Sequence, residues 1–319
     1  RQPDEVVICD GGSTDATLAI LQNEQQKGRF CLKILVETGA NISRGRNVAI
    51  AAAQGPIIAC SDAGVRLHPQ WLDELTQDLR LALQQQRQTP MATAGFFLPD
   101  PHNTFEIAMS ATVLPELRDI KAESFLPSSR SVAFLKTAWT RVNGYPEWLD
   151  YCEDLIFDFD IQTHCGGFTF APKALVYFRP RGSLRAFYKQ YYLYARGDGK
   201  ANLWLKRHLI RYATYLIGFP ALALGGWLIS PWLWLCLLIA GFLYVRTPLR
   251  RLVAMPQWPS LSVAERLRAL VFVPTTFLTF YTMVKSKRLS DFLDALSDER
   301  LPLSAKFKSL LAVWGPSRD

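Results

Sequence analysis

No charged residue occurs from Tyr212 to Val245, a run of 34. A straight helix of that length would be about 51 Å long, against a bilayer hydrocarbon core of roughly 30 Å. The run therefore has to bend. Gly225-Gly226 and Ser230-Pro231 are the helix-breaking residues inside it, so it is expected to form two helices of about 17 and 15 residues. Trp227, Trp232 and Trp234 surround the expected turn, while Tyr212, Tyr215 and Tyr244 lie near the opposite ends. That is the distribution of two interfacial belts. Arg207, Arg211, Arg246, Arg250 and Arg251 flank both outer ends, which places both on the cytoplasmic side of the inner membrane by the positive-inside rule. A third apolar run, Ala269 to Val284, contains Pro274 and has basic clusters at each end. Spanning would export one cluster, so a helix in the interface plane or a re-entrant one is expected.

The net charge of +8 has the same origin. Residues 1–206 hold 22 basic and 22 acidic side chains, and residues 207–319 hold 14 and 6. A nucleic-acid-binding protein would carry a basic face on its folded domain, whereas here the excess brackets apolar runs. The expected organisation is a catalytic domain over 1–206, a transmembrane hairpin over 207–250, and a membrane-associated helix with a cytoplasmic tail over 251–319. The six cysteines show no CxxC pair and no Cys/His ligand spacing, so buried reduced thiols are expected. The chain opens at Arg1, almost directly into a strand, which suggests a truncated start.

In the first half, short β-branched runs alternate with helical stretches, the pattern of an α/β fold with a mostly parallel sheet and helices on both faces. Strands are expected at Glu5–Cys9, Lys33–Val36, Pro56–Ser61, Met91–Phe97, Ser131–Leu135 and Ala174–Phe178. Ser13 or Thr14 is expected to cap the first helix and Ser43 the second. A third helix follows Pro69, with Leu72, Leu75, Leu79 and Leu83 facing the core. Tyr151–His164 is expected to be helical.

Three acidic groups stand out in this neutral half. Asp10-Gly11-Gly12-Ser13-Thr14-Asp15 ends a strand and precedes a helix. Ligands of open α/β sheets bind at that edge, and glycines there let the backbone approach closely. The same residues are also ordinary turn chemistry. Asp62, in Ser61-Asp62-Ala63-Gly64, ends another strand; it suits Mg²⁺ or Mn²⁺, and it equally suits a turn. Glu153-Asp154, followed by Asp158 and Asp160, opens a helix. Acids there favour the helix dipole, and one of them could serve as a general base toward a hydroxyl.

Taken in order, five segments resemble family 2 glycosyltransferases of the GT-A fold: DGGSTD at 10–15, SRGRNVAIAAAQG at 43–55, SDAG at 61–64, VAFLKTAWTRVNGY at 132–145 and CEDLIFDFDI at 152–161. The resemblance covers roughly residues 1–200, and the tail is similar to that of membrane-bound bacterial members. It implies inverting transfer from a nucleotide-diphosphate sugar to a hydroxyl of a lipid-linked or membrane-proximal glycan acceptor. Asp10, with Gly11 and Ser13, falls on the nucleotide-binding turn, Arg46 and Asn47 on the Arg-Asn pair beside the nucleotide, and Asp154 on the catalytic base. Asp62 falls on the first acid of the Asp-x-Asp motif that binds a divalent cation, but Gly64 replaces the second. Leu193-Tyr194 stands where processive members carry Arg-Trp, which argues for single addition; Arg196 is left to reach the diphosphate. The other readings are a catalytically silent nucleotide-sugar-binding subunit and a processive polysaccharide synthase. The family's first strand would precede Arg1, so a gap is expected in the sheet beside Glu5–Cys9 and Pro56–Ser61.

Overall fold

The computed structural model describes residues 1–87 and 90–282, with side chains through 275. It divides into two compact units, residues 1–100 with 116–179, and residues 101–115 with 180 onward.

The first unit contains β1 (Val6–Asp10), α1 (Thr17–Gln26), β2 (Leu32–Val36), α2 (Ile42–Ala52), β3 (Ile57–Cys60), β4 (Val65–Leu67), α3 (Trp71–Gln84) and β5 (Ala92–Pro99). The short helix α4 (Thr104–Val113) belongs to the second unit, and the chain then returns through β6 (Val132–Leu135), α5 (Lys136–Arg141), α6 (Glu153–Cys165) and β7 (Thr169–Phe178). The α/β alternation is as expected. Its strands form two separate sheets: a parallel β1–β2 pair and a five-stranded sheet in the order β3-β6-β5-β7-β4.

The larger sheet corrects the expectation of mostly parallel pairing. Only β5–β7 is parallel in it, while β3–β6, β5–β6 and β4–β7 are antiparallel. The physical reason is that runs such as Val132–Leu135, buried along their whole length, carry no record of strand direction.

Leu75 and Leu79 of α3 are fully buried, in one cluster with Phe134, Phe157, Ile161 and Val176. Leu72 is half-buried beside them, but Leu83 is 41% exposed and leaves the expected stripe. The caps also differ from expectation. Asn41, not Ser43, caps α2 by accepting from Arg44 N, and Ser43 is buried inside the helix with its hydroxyl donating to Leu149 O. Neither Ser13 nor Thr14 caps α1: the N-cap residue is Ala16, the Ser13 hydroxyl is turned back to Asp10, and Asp15 instead accepts from Thr17 N. All six cysteines are free, but only Cys165 is buried, and Cys31 and Cys236 are exposed.

The second unit adds α7 (Leu184–Ala201), α8 (Leu205–Tyr212), α9 (Phe219–Leu228), α10 (Trp232–Ala254) and α11 (Val263–Thr282). A π-helical segment, Ala213–Gly218, joins α8 to α9. It lies just before Pro220, whose ring cannot sit against an ordinary preceding helical turn. Leu205–Leu228 and Trp232–Ala254 are long and apolar enough to cross a membrane, with mean hydropathies of 1.2 and 1.6.

Gly225 and Gly226 do not break this hairpin. They stay helical in α9, and the turn falls at Ile229–Pro231. A Cβ on Gly226 would lie 2.1 Å from Trp234 Nε1, so the glycines allow close approach of the two helices. Tyr215 and Tyr244 meet edge-on near the other end. Helix α11 packs Ala269 and Val273 against α4 residues Ile107, Ala108 and Ala111, together with Leu252 and Met255. The end of the Ala269–Val284 run lies outside the described residues.

Candidate active site

Local chemistry shapes the first turn. Asp10 closes β1, and its carboxylate accepts from Gly12 N at 2.9 Å, Ser13 N at 2.8 Å and the Ser13 hydroxyl. The Ser13 hydroxyl, then the backbone donors, hold the Asp10 carboxyl below its ordinary range. Gly12 has φ +95°, which favours glycine. Asp10 itself is buried, whereas Gly11 and Ser13 are exposed beside it. The turn therefore presents its backbone outward around a fixed negative charge.

The centre of the site is Arg46, on α2. Its Nη2 donates to Asp62 Oδ1 at 2.6 Å and its Nη1 to Glu153 Oε1 at 2.6 Å. Its guanidinium also lies 5.2 Å from the centroid of the Tyr145 ring. Tyr145 stacks on Phe157 of α6 at 4.1 Å and shares a 3.0 Å hydrogen bond with the Ser129 hydroxyl. Burial opposes the charge on Arg46, but the groups around it, Tyr145, Asp62 and Glu153, more than offset that and raise its pKa. It is a fixed cation.

Asn47 is used differently from the expectation. Its Oδ1 accepts from Tyr145 N at 2.8 Å and Trp139 Nε1 at 3.1 Å, and its Nδ2 donates to Tyr145 O at 2.8 Å and Glu147 Oε1 at 3.0 Å. The amide is spent on holding the 139–147 segment, which in turn places Tyr145 beneath Arg46.

Asp154 sits in the first turn of α6 and is half-buried, with its Oδ1 accepting from Leu155 N at 3.0 Å. Burial raises its pKa, and the charges of Arg46 and Arg130 hold it back only in part. Burial and then the charge of Asp154 raise Glu153 as well. One turn further, Asp158 is 2% exposed, and its Oδ2 has no hydrogen-bond partner. Burial first, then Asp154, pushes Asp158 well above the carboxylate range. Cys152, just before α6, has φ +63°, a costly conformation for a non-glycine residue. It sets the direction in which the helix and its acids emerge. Cys60 is no nucleophile here, since burial pushes its thiol up to about 11.

The first 81 residues match the family model described as Glycosyl transferase family 2. The matched segment lies wholly in the first unit, from β1 into α3. No curated protein matches it. Among solved structures it is similar to TarS 1-349 of S. aureus in complex with UDP, at 17% identity over 91% of this chain and 84% of that one, with a TM-score of 0.42. It is also similar to the mannosyltransferase PcManGT of Pyrobaculum calidifontis in complex with GDP-Man and Mn2+, at 17% identity over 88% and 77%, with a TM-score of 0.48.

The structure joins Arg46, Asp62, Glu153 and Asp154 in one cluster, while Asp10 forms its own turn at the end of β1. Arg196 lies exposed on α7, in the other unit. Tyr145 and Arg130 are the site residues that spacing alone leaves out, and Glu153, one of the acids of the third group, enters as the partner of Arg46.

A cation at Asp62 is a poor match for these side chains. Gly64 offers no ligand, both Asp62 oxygens face guanidinium groups, and among the described residues no three His, Cys, Asp or Glu side chains could hold a metal.

Proposed function

We propose that the chain is a glycosyltransferase that moves a sugar, with inversion, from a nucleotide-diphosphate sugar to a hydroxyl of a lipid-linked or membrane-proximal acceptor. The observation that carries the reading is Asp154, a half-buried carboxylate whose pKa is raised by burial, beside the Arg46–Asp62–Glu153 cluster.

Asp154 takes the proton of the acceptor hydroxyl as that oxygen attacks the anomeric carbon and the nucleoside diphosphate leaves from the opposite side. A raised pKa suits this role because it brings the base closer to the operating pH. Arg46 holds the acids in place and is a permanent cation near the departing charge. Asp10 and its turn take the nucleoside.

The hairpin supports a membrane setting. Trp227, Ile229 and Trp232 at its turn are 83%, 82% and 73% exposed, an apolar surface that water does not tolerate at this extent. With the basic residues at the outer ends, the catalytic domain faces the cytoplasm. A tethered site meets lipid-linked acceptors at high effective concentration.

The test is a donor screen for nucleotide-diphosphate release by the detergent-solubilised chain, with a lipid extract or soluble sugars as acceptor. Release stimulated by the lipid extract and absent in Asp154→Asn is expected. Equal use of soluble sugars would remove the lipid acceptor, and no turnover with any donor would favour a silent binding subunit.

A further inference from the structure

Arg130 faces Oδ2 of Asp62, while Arg46 holds Oδ1. It lies in the turn before β6, where Ser131 N donates to Ser128 O. Its Nε is 3.8 Å from Asp62 Oδ2, an ion pair too long for a hydrogen bond. Two rings hold the guanidinium by its face, Phe178 at 4.2 Å and Phe97 at 5.4 Å. The side chains of Arg130 and Arg46 are each 17% exposed.

Two features of Arg130 call for a ligand. Its Nε is buried and makes no hydrogen bond, so only the long ion pair to Asp62 engages that N–H. The stacking on Phe178 also fixes its plane, leaving a preorganised fork of the kind that binds phosphate oxygens. The neighbouring position 64 is consistent with this. Gly64 is exposed, has φ +86°, and has open space where a side chain would be. It leaves Asp62 as the lone acid of a motif that needs two.

We propose that Arg130, together with Arg46, binds the donor's diphosphate, and that these two guanidinium groups supply the positive charge a divalent cation would otherwise bring. Two fixed cations match the charge of one such ion, and they offset the charge on the leaving oxygen without coordination. Asp62 then serves to aim the two arginines. This rests on the nucleotide-sugar reading above and adds to it which groups hold the diphosphate.

The test is calorimetric titration of the full chain in detergent with UDP, GDP, ADP, CDP and dTDP, in EDTA and with Mn²⁺. Binding of the matching nucleoside is followed by saturation-transfer NMR. One diphosphate is expected to bind in EDTA within about threefold of its affinity with Mn²⁺, since no ion is needed. Arg130→Ala should weaken it roughly tenfold or more and Arg130→Lys by less, with nucleoside binding unchanged. Binding that requires Mn²⁺, or an Arg130→Ala variant that binds diphosphate like the parent, would overturn the inference and leave the donor reading standing. So would equal weakening of nucleoside and diphosphate, the mark of a merely structural arginine. If none of the five diphosphates binds in either condition, the donor reading itself fails.

Discussion

Arg46 Nη1 lies 2.6 Å from Glu153 Oε1, joining α2 to the first turn of α6 across 107 residues of sequence. With Nη2 on Asp62, one guanidinium fixes two acids that would otherwise repel each other. Arg46→Ala leaves Glu153, 8% exposed at its side chain, without its cation. It should cost on the order of 2 kcal/mol by denaturant unfolding, below the full penalty of a dry ion pair because Asp62 is partly hydrated. Transfer should fall about a hundredfold or more. Glu153→Gln keeps a hydrogen-bond acceptor for Nη1 and is expected to be milder in both respects. A stable and active Arg46→Ala would show that the cluster is only a surface network.

Asp154 makes a prediction about pH. As a general base it works only when deprotonated, and its pKa lies above the usual aspartate range because of burial. Activity should therefore fall as pH drops through that raised value, earlier than an exposed aspartate would allow. Asp154→Asn should lower kcat about 10²- to 10⁴-fold and abolish this acid limb, with donor binding retained. A pH–rate profile of the parent and titration of donor into the variant check both halves. Loss of donor binding in the variant would mean that Asp154 holds substrate and is not its base.

Much of this site could be read from residue order, and the reason is local. Asp10 ends β1, Asp62 lies in the short turn between β3 and β4, and Asp154 opens α6, so each sits at the end of an element, where a carboxylate has a short-range signature. What could not be read depends on pairing over long separations. Asn47 meets Tyr145 and Trp139 about a hundred positions away, and nothing in Arg-Asn spacing says that the amide is spent there. Arg130 falls in a Ser-rich turn with no motif, and only the pairing of β5 with β7 brings Phe97 and Phe178 together beneath it. The bend of the hairpin is legible in the sequence, but its position is not, because the packing of Gly225 and Gly226 against Leu233 and Trp234 depends on a second helix.

Gly144 tests the Asn47 clamp. It has φ +73°, and an added Cβ would lie 2.6 Å from Asn47 Oδ1 and 2.8 Å from Trp139 Nε1. Gly144→Ala thus combines backbone strain with a clash and should destabilise by about 2–3 kcal/mol. Since the displaced groups position Tyr145 under Arg46, turnover should fall more than the folded fraction does. Thermal melting compared with specific activity separates the two losses. An unchanged melting point would show that the 139–147 segment is not held as tightly as these bonds imply.

Asp158 makes the corresponding prediction for stability. Its folded pKa is raised, by burial and then by Asp154, above its unfolded value. The folded state therefore binds this proton more tightly than the unfolded state. The resulting stabilisation is fully present below the unfolded pKa and is lost as pH rises through the folded one. Asp158→Asn keeps the shape and cannot ionise. Its melting point relative to the parent should therefore improve toward alkaline pH, by about 3 °C or more between mildly acidic and mildly alkaline buffers. A difference independent of pH would mean that Asp158 does not titrate in this window.

The last prediction concerns the hairpin, whose outward side chains are apolar along most of their length. Leu216, Leu238 and Phe242 are 59%, 70% and 61% exposed, so they pack against little within the chain. A soluble hairpin would tolerate a charge there, because an exposed arginine costs almost nothing in water. Within a bilayer the same arginine costs roughly 2.5–3.5 kcal/mol near the midplane. Leu238→Arg should therefore reduce the carbonate-resistant membrane fraction of the chain, while Arg250→Leu, near the basic end, should not. Leu216→Arg with Leu238→Arg should release more than either alone, because both helices would have to cross. A parent chain extracted by carbonate would exclude spanning altogether. The acceptor would then have to reach a soluble enzyme.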